Sequence, residues 1–272
     1  MPMNFFPPPN VVGAILATLA LWFLEMRFAY WPLPSNRLTH ARNNFVLGIC
    51  SLLLLGAAAF ASITLSLFAR EQGWGILNWL RLPLFFETVV GAVLYDLGNY
   101  WIHRSQHQVP ALWRLHRAHH TDRYIDVSSA FRFHPFESLY RGVCFVALVF
   151  VGGISIYSIL LYACLVSIAL PLSHANLNIP ASWESWCRYG LVLPLHHRIH
   201  HSVKRAEHDR NYGIVFLWWD FCFGTYLDPS NVTDLRIGLE YVSEKQGTEL
   251  AAILKEPFVS PTASAPSEDS PR

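Results

Sequence analysis

The chain has 272 residues, 53% of them hydrophobic and 14% charged, with a mean hydropathy of +0.28 and a formal net charge of +1. That composition is too apolar for an ordinary soluble domain and points to a membrane, while the near-zero charge excludes bulk attraction to nucleic acid. Five cysteines (Cys50, Cys144, Cys164, Cys187 and Cys222) form no CxxC pair and sit mostly in apolar runs, which excludes a disulfide frame and reads as reduced packing residues.

Residues 11–31 are mostly apolar and near the length that spans ~30 Å of hydrocarbon, with Glu25 and Arg27 close to one end. Residues 1–24 carry no Lys or Arg, so an uncleaved spanning helix is expected rather than a signal peptide. A second, cleaner span covers 44–69. A third, 82–102, contains Glu87 and Asp96, intramembrane carboxylates costly enough to mark a site or an inward-facing partner. The stretch 142–172 is interrupted by Gly152-Gly153. If the clusters before and after it share one metal site, the chain must return to the side it left, so a shallow or re-entrant hairpin of two helices of ~15 residues is expected. Arginines gather in the loop after the first span (Arg27, Arg37, Arg42) and throughout the histidine-rich segments. The positive-inside rule puts both on the cytosolic face. Residues 259–272, rich in Ser, Pro and Ala, read as a disordered tail.

Eight histidines fall in three clusters: His103 and His107 in HRSQH, His116, His119 and His120 in HRAHH, and His197, His200 and His201 in HRIHH. On a helix, positions i, i+3 and i+4 share a face, so HxxHH can offer two ligands to one ion and a third to another. Imidazole suits first-row metals such as iron, whereas Mg or Ca would want oxygen-rich sites. Neither HExxH nor a Cys-based zinc spacing occurs, and eight ligands exceed one zinc site, so two ions sharing a pocket are expected. Stepping back from His103 along the same face gives Tyr100 and then Asp96. Asp96 is either an acceptor that orients a ligand histidine or a polar cap between packed helices. His196 adjoins the third box but points off its face, His208 and Asp209 shape a turn before Asn211-Tyr212-Gly213, and His40 has no assigned role. Trp113, Trp183, Trp186, Trp218 and Trp219 read as packing or interfacial anchors, with Trp218-Trp219 beside Asp220 an alternative lipid entrance.

The series HRSQH, LWRLHRAHH, FRFHPFE, SHAN, PLHHRIHHS, NYG and WWDFCFGTY, over roughly 90–229, resembles the fatty acid hydroxylase superfamily, also called the sterol desaturase family, of membrane-bound non-haem diiron oxygenases. The resemblance implies an all-α integral membrane helical bundle with a cytosolic helical cap carrying a histidine-rich dimetal site. It implies two iron ions, replaceable by zinc in purified protein, bound by His103, His107, His116, His119, His120, His197, His200 and His201, with His174 in SHAN as a further ligand. Some relatives have a second histidine four residues later, where this chain has Asn178. Water, Asn178 or His196 could fill that tenth place. His134 in HPFE either orients a ligand or binds near the metals, or is a loop histidine held by Glu137 or Arg132.

The domain reading is 1–81 for N-terminal transmembrane helices, 82–230 for the catalytic domain, 231–258 for a C-terminal extension and 259–272 for the tail. The implied activity is O2-dependent hydroxylation or desaturation of a lipid drawn from the bilayer, with no side-chain nucleophile. The absence of flavin, nicotinamide, haem or iron–sulfur motifs implies a separate electron donor, a reductase, cytochrome or ferredoxin. A bacterial inner membrane and an endoplasmic reticulum membrane both suit this topology. The competing readings are a non-catalytic membrane protein that stores, senses or transports metal, and a metal-dependent lipid hydrolase. Transport would spread polar residues along the spans, and hydrolysis would need a base beside the boxes.

Overall fold

The computed structural model describes residues 9–260, and among these the chain is helical, with isolated β-bridges and no named strand. Five long helices carry the architecture: α1 (Pro9–Phe28), α2 (Arg37–Glu71), then, after the short α3 (Ile76–Leu80), α4 (Leu84–Gln108), and, after α5 (Pro110–His120), α6 (Pro135–Gly152) and α7 (Ile156–His174). Shorter helices follow: α8 (Ala181–Cys187), α9 (Pro194–His200), α10 (Arg205–His208), α11 (Trp218–Cys222), α12 (Glu244–Thr248) and α13 (Leu250–Lys255). The predicted tail falls largely on 261–272, outside the described residues.

Among the described residues, four helical stretches are long and apolar enough to cross a membrane: Val11–Phe28, Arg37–Leu80, Pro135–Gly152 and Ile156–His174. Little of their surface is buried inside the protein, and Leu53 and Phe60 on α2 are each 74% exposed. Such outward apolar faces suit a hydrocarbon solvent. The predicted third span forms as the continuous helix α4, but it is not one of these four. Its inner face buries Glu87, Asp96, Asn99 and Gln106, and each finds a partner within the protein. Glu87 pairs with Arg70 at 3.1 Å, while the Asn99 amide donates to Tyr162 Oη at 2.7 Å and accepts from Arg141 at 2.7 Å.

The hairpin between the second and third histidine boxes is present as α6 and α7. Its helices have 18 and 19 residues, about 27 and 28 Å at 1.5 Å per residue, longer than the ~15 residues expected. The extra turns come from the polar Pro135–Arg141 end, where Glu137 and Arg141 are buried against partners, so hydropathy alone places the helix start too late. Gly153, in the left-handed region at φ 63°, ends α6, and Ser155 then caps α7 by accepting from the Ser158 amide. This turn lies against the α2–α3 connection. A Cβ added to Gly75 (φ 95°) would stand 2.4 Å from the Gly153 backbone, and Ser66 Oγ on α2 donates to the Ile154 carbonyl at 2.7 Å.

At the opposite end, charges expected to flank the spans are buried and act as ties. Arg37 pairs with Glu25 and with Asp126 at 3.2 Å, while Glu25 accepts from the amides of Val127 (2.8 Å) and Asn176 (2.7 Å). One carboxylate at the end of α1 thereby joins the 3-10 turn Val127–Phe131 to the segment after α7. At 35 residues, about 52 Å, α2 outruns a ~30 Å hydrocarbon layer, and its first turns bury Arg37, His40, Asn43 and Asn44 among these polar groups.

Replacing Gly75 by Ala should force the two turns apart, costing about 1–3 kcal/mol in backbone strain before any clash is counted. Thermal unfolding in detergent should show a lowered midpoint. An unchanged midpoint would contradict the close crossing.

Candidate metal centre

The three boxes meet where α4, α5, α7 and α9 converge. His103 and His107 occupy the last turns of α4. Pro110 at the first turn starts α5 on a fresh axis, where its missing N–H costs nothing, and that helix carries His116, His119 and His120. His174 ends α7, and α9, again opened by a proline, delivers His197 and His200, with His201 just beyond.

Nine imidazoles divide into two adjoining groups. His103, His107, His116, His120 and His200 form one, and His119, His174, His197 and His201 the other, with one nitrogen from each ring lying within 4.8 Å of the rest of its group. Each HxxHH box splits between the groups: His116 and His120 go one way and His119 the other, His200 one way and His197 with His201 the other. His120 and His201 stack across the boundary at 4.5 Å. All nine are buried.

The hydrogen bonding tests whether these residues fit a metal. Five rings are held from behind through Nδ1: His103 by the Tyr212 carbonyl (2.8 Å), His116 by Glu137 (2.8 Å), His119 by the Arg132 carbonyl (3.1 Å), His174 by the Leu170 carbonyl (2.9 Å) and His200 by the Arg210 carbonyl (2.8 Å). A neutral imidazole that donates through Nδ1 has a bare lone pair on Nε2. Yet Nε2 of His103 faces Nε2 of His116 at 3.2 Å, and Nε2 of His119 faces Nε2 of His174 at 3.2 Å. Two lone pairs at that distance repel unless a cation lies between or beside them. Protonation is a poor remedy, because burial, reinforced by the neighbouring imidazoles, pushes His116, His119, His120, His197, His200 and His201 well below the usual histidine range. In addition His107 Nδ1 and Nε2, His120 Nδ1, His197 Nδ1, His200 Nε2 and His201 Nδ1 are buried without hydrogen-bond partners. The donor set therefore fits a metal ion.

The other predicted site residues are placed differently. Glu137 backs His116 rather than His134, and also accepts from Gln106 at 3.1 Å. His134 instead caps α6, its Nδ1 accepting from the Phe136 amide, with Nε2 3.2 Å from the Leu254 carbonyl. Asp96 touches no histidine. It accepts from Trp219 Nε1 (2.8 Å), Tyr162 Oη (3.0 Å) and the amides of Val215 and Phe216, so it is the polar cap between packed segments. Tyr100 bonds Thr225 and Arg104 and stacks on Phe223. His196 belongs to neither group, its Nδ1 accepting from the Leu193 amide. Asn178 lines a small cleft with Tyr30, Glu184 and Arg198.

Several residues near the centre have contacts that their local sequence does not announce. His208 and Asp209 do more than turn the chain: with His107 they form a third group, His208 stacking on Trp113 and Asp209 Oδ1 lying 3.4 Å from His107 Nδ1. Asp220 organises the Asn211-Tyr212-Gly213 loop by accepting from the Tyr212 and Gly213 amides, each at 2.8 Å, and burial pushes its carboxyl up to about 6. His40 is bonded to Asp122 at 2.8 Å. Burial alone would raise the Asp122 carboxyl, but His40 and the Arg132 guanidinium hold it well below the usual range. Arg132 also donates to Asn44, Ala118, Thr121 and Gly247, and Arg117 reaches the Glu256 carbonyl, so 244–258 straps the back of α5.

A helical membrane-type frame enclosing a buried all-imidazole centre defines the class of protein. The chain belongs to the fatty acid hydroxylase family, whose model matches residues 88–225. It is similar to the ornithine lipid hydroxylase OlsE of Rhizobium tropici, 28% identical over 178 residues, covering 65% of this chain and 51% of that protein. It is also similar to the alkylglycerol monooxygenase of Homo sapiens (26% over 235 residues, 80% and 46%) and to the Delta(7)-sterol-C5(6)-desaturase of Nicotiana tabacum (25% over 180 residues, 61% and 60%). The chain spans about half the length of the first of these relatives. No solved structure matches it.

Two outcomes test this geometry. Glu137→Ala should weaken metal binding about 10–100-fold in chelator competition, by freeing the His116 ring; unchanged affinity would contradict the role given to Glu137. Rings kept neutral in the fold but protonated near pH 6.5 when unfolded make the unfolded chain the better proton binder. Metal-stripped protein should therefore hold its stability above about pH 6.5 and lose it as pH falls further, and pH-independent unfolding would contradict this.

Proposed function

We propose that the protein is an integral membrane oxygenase that hydroxylates or desaturates a lipid, using O2, two iron ions and electrons from a separate reductase, cytochrome or ferredoxin. The observation that carries this reading is the division of nine inward-facing imidazoles into two adjoining groups in a chain of this family. The relatives are named for hydroxylation, monooxygenation and desaturation of three different lipids. A C–H bond in a lipid is the reacting group common to such chemistries.

In this reading His103, His107, His116, His120 and His200 hold one iron and His119, His174, His197 and His201 the other. Bound there, the pair supplies O2-dependent removal of hydrogen from an unactivated C–H bond. The side chains do the rest. The carbonyls of Leu170, Arg132, Arg210 and Tyr212, with Glu137, fix the tautomer and angle of five of the nine rings. Burial of all nine rings excludes bulk water from the oxidising centre. Neutral nitrogen donors without thiolate suit iron, and zinc would occupy the same rings in overexpressed protein.

The membrane arrangement follows from the same residues. We place the histidine groups on the cytosolic side, because Arg104, Arg114, Arg117, Arg123, Arg198 and Arg210 lie beside them in sequence. The pair α6 and α7 leaves that side and returns to it, delivering His174 beside His197. A bacterial inner membrane and an endoplasmic reticulum membrane both accommodate this chain.

Lipid mass spectrometry of cells with and without the gene, grown under 18O2, tests the activity. A lipid carrying one added 18O is expected for hydroxylation, and a lipid lacking two hydrogens without 18O for desaturation. An unchanged lipid profile would overturn the reading.

A further inference from the structure

Next to the histidine centre, with Tyr212 and Asp209 in its wall, lies a cavity of about 510 Å3. Its walls are the last turn of α4, α10 with the residues after it, and residues 223–225. Three guanidiniums, Arg104, Arg205 and Arg210, line it against the one lining carboxylate, Asp209, with Asp220 behind Thr225 near enough for Arg104 to act on it, so positive charge is in excess. Arg205 Nε holds Asp209 Oδ2 at 3.1 Å. Arg104 and Arg210 have no carboxylate partner among the described residues. Arg104 donates to Tyr100 Oη at 3.3 Å and Arg210 to the Gly224 carbonyl at 2.9 Å, so most of their N–H groups remain unused. Neither O2 nor a C–H bond calls for such a concentration of guanidinium.

One rim of the cavity is aromatic. Trp101 and Phe223 meet at 4.8 Å and are 46% and 38% exposed, Arg104 lies over the Trp101 ring, and Trp218 and Phe221 are exposed nearby in sequence on α11. Outward-facing aromatic rings next to arginines are the pairing found at the headgroup level of a bilayer. The inner wall is Tyr212, whose ring packs on His107 at 5.1 Å and His103 at 5.8 Å and whose hydroxyl accepts from Gln108 at 3.0 Å. A group held in the cavity would sit one side chain away from the histidine centre.

We propose that this cavity is an oxyanion subsite that takes the phosphate-class headgroup of a lipid through Arg104, Arg205 and Arg210, with Gln108 as a neutral donor. A concave pocket of small-ligand volume fits a headgroup better than the broad surface an acidic protein would need. Guanidinium forks match the spacing of phosphate oxygens, and the aromatic rim suits the adjoining glycerol and chain. The choice of a lipid as occupant rests on the lipid-oxygenase reading. Binding is measured without turnover, so its failure is distinguishable from failure of that reading.

The test is native mass spectrometry of the metal-loaded, detergent-purified protein offered phosphatidate, diacylglycerol or inorganic phosphate. Phosphatidate should be retained about tenfold or more over diacylglycerol, and Arg104→Gln combined with Arg205→Gln should lower retention by about tenfold. Arg205→Gln alone, at a side chain 78% exposed, should lower it in the same direction with unchanged metal content and guards against misfolding of the double variant. Equal retention of diacylglycerol, or retention unmoved by either variant, would overturn the proposal. Displacement of phosphatidate by millimolar inorganic phosphate would overturn the lipid assignment in favour of a free anion. Slower reduction by an acidic donor protein with lipid retention intact would reassign the pocket to protein docking.

Discussion

Bare imidazole lone pairs turned toward one another in a buried space are the constraint on which the rest of this structure depends. A buried acceptor left unsatisfied costs about 1–3 kcal/mol, and His200 Nε2 and both nitrogens of His107 are buried without a hydrogen-bond partner, while the Nε2 atoms of His103 and His116 and of His119 and His174 face each other. Cations bound there would supply the missing interaction. Everything around the rings serves to keep them from turning away. Carbonyls of four backbone segments and one carboxylate fix the outer nitrogens of five rings, and Asp220 in turn fixes the loop that offers the Tyr212 carbonyl. Holding the donors in place before the metal arrives reduces the ordering left to be done on binding.

The helical frame meets this demand by combining two solvents. Outward faces of α1, α2, α6 and α7 are apolar, whereas the inner faces and cap-proximal ends hold charges that are paired within the protein. Glu25, Arg37, Asp126, Asp122, His40 and Arg132 form a connected polar layer between the long helices and the histidine centre, joining α1, α2 and the segment after α5. Such pairs contribute little to net stability once desolvation is counted, but breaking one strands a buried charge. Their value here is geometric, since they fix where α5 and α7 end and so where His119 and His174 point.

Much of this was legible in the chain. Local spacing lets each HxxHH box offer two ligands to one ion and a third to another, because i, i+3 and i+4 relations are properties of a single helix, but which imidazole joins which group comes only from the fold. The hairpin followed from requiring His174 to return to the same centre. The partners of Asp96, by contrast, are Trp219 and Tyr162, His40 pairs with Asp122 82 residues away, and Arg132 reaches Asn44 and Gly247 88 and 115 residues away, where no local periodicity reports them. Sequence proximity offers Glu137 either to the metals and their ligands or to the neighbouring His134, and does not choose between them. The fold turns it inward to His116 from the first turn of α6. His208 and Asp209 looked like turn residues because α10 is only four residues long, and their approach to His107 depends on how that turn packs.

The central claim is that the two imidazole groups each hold a metal ion. Metal analysis of purified, folded, full-length protein expressed with iron, joined to X-ray absorption at the metal edge, addresses it most directly. The account predicts two ions per chain with a first shell of imidazole nitrogen, completed by light atoms and lacking sulfur. A folded chain that holds one ion or none, or whose metal carries thiolate, would contradict it.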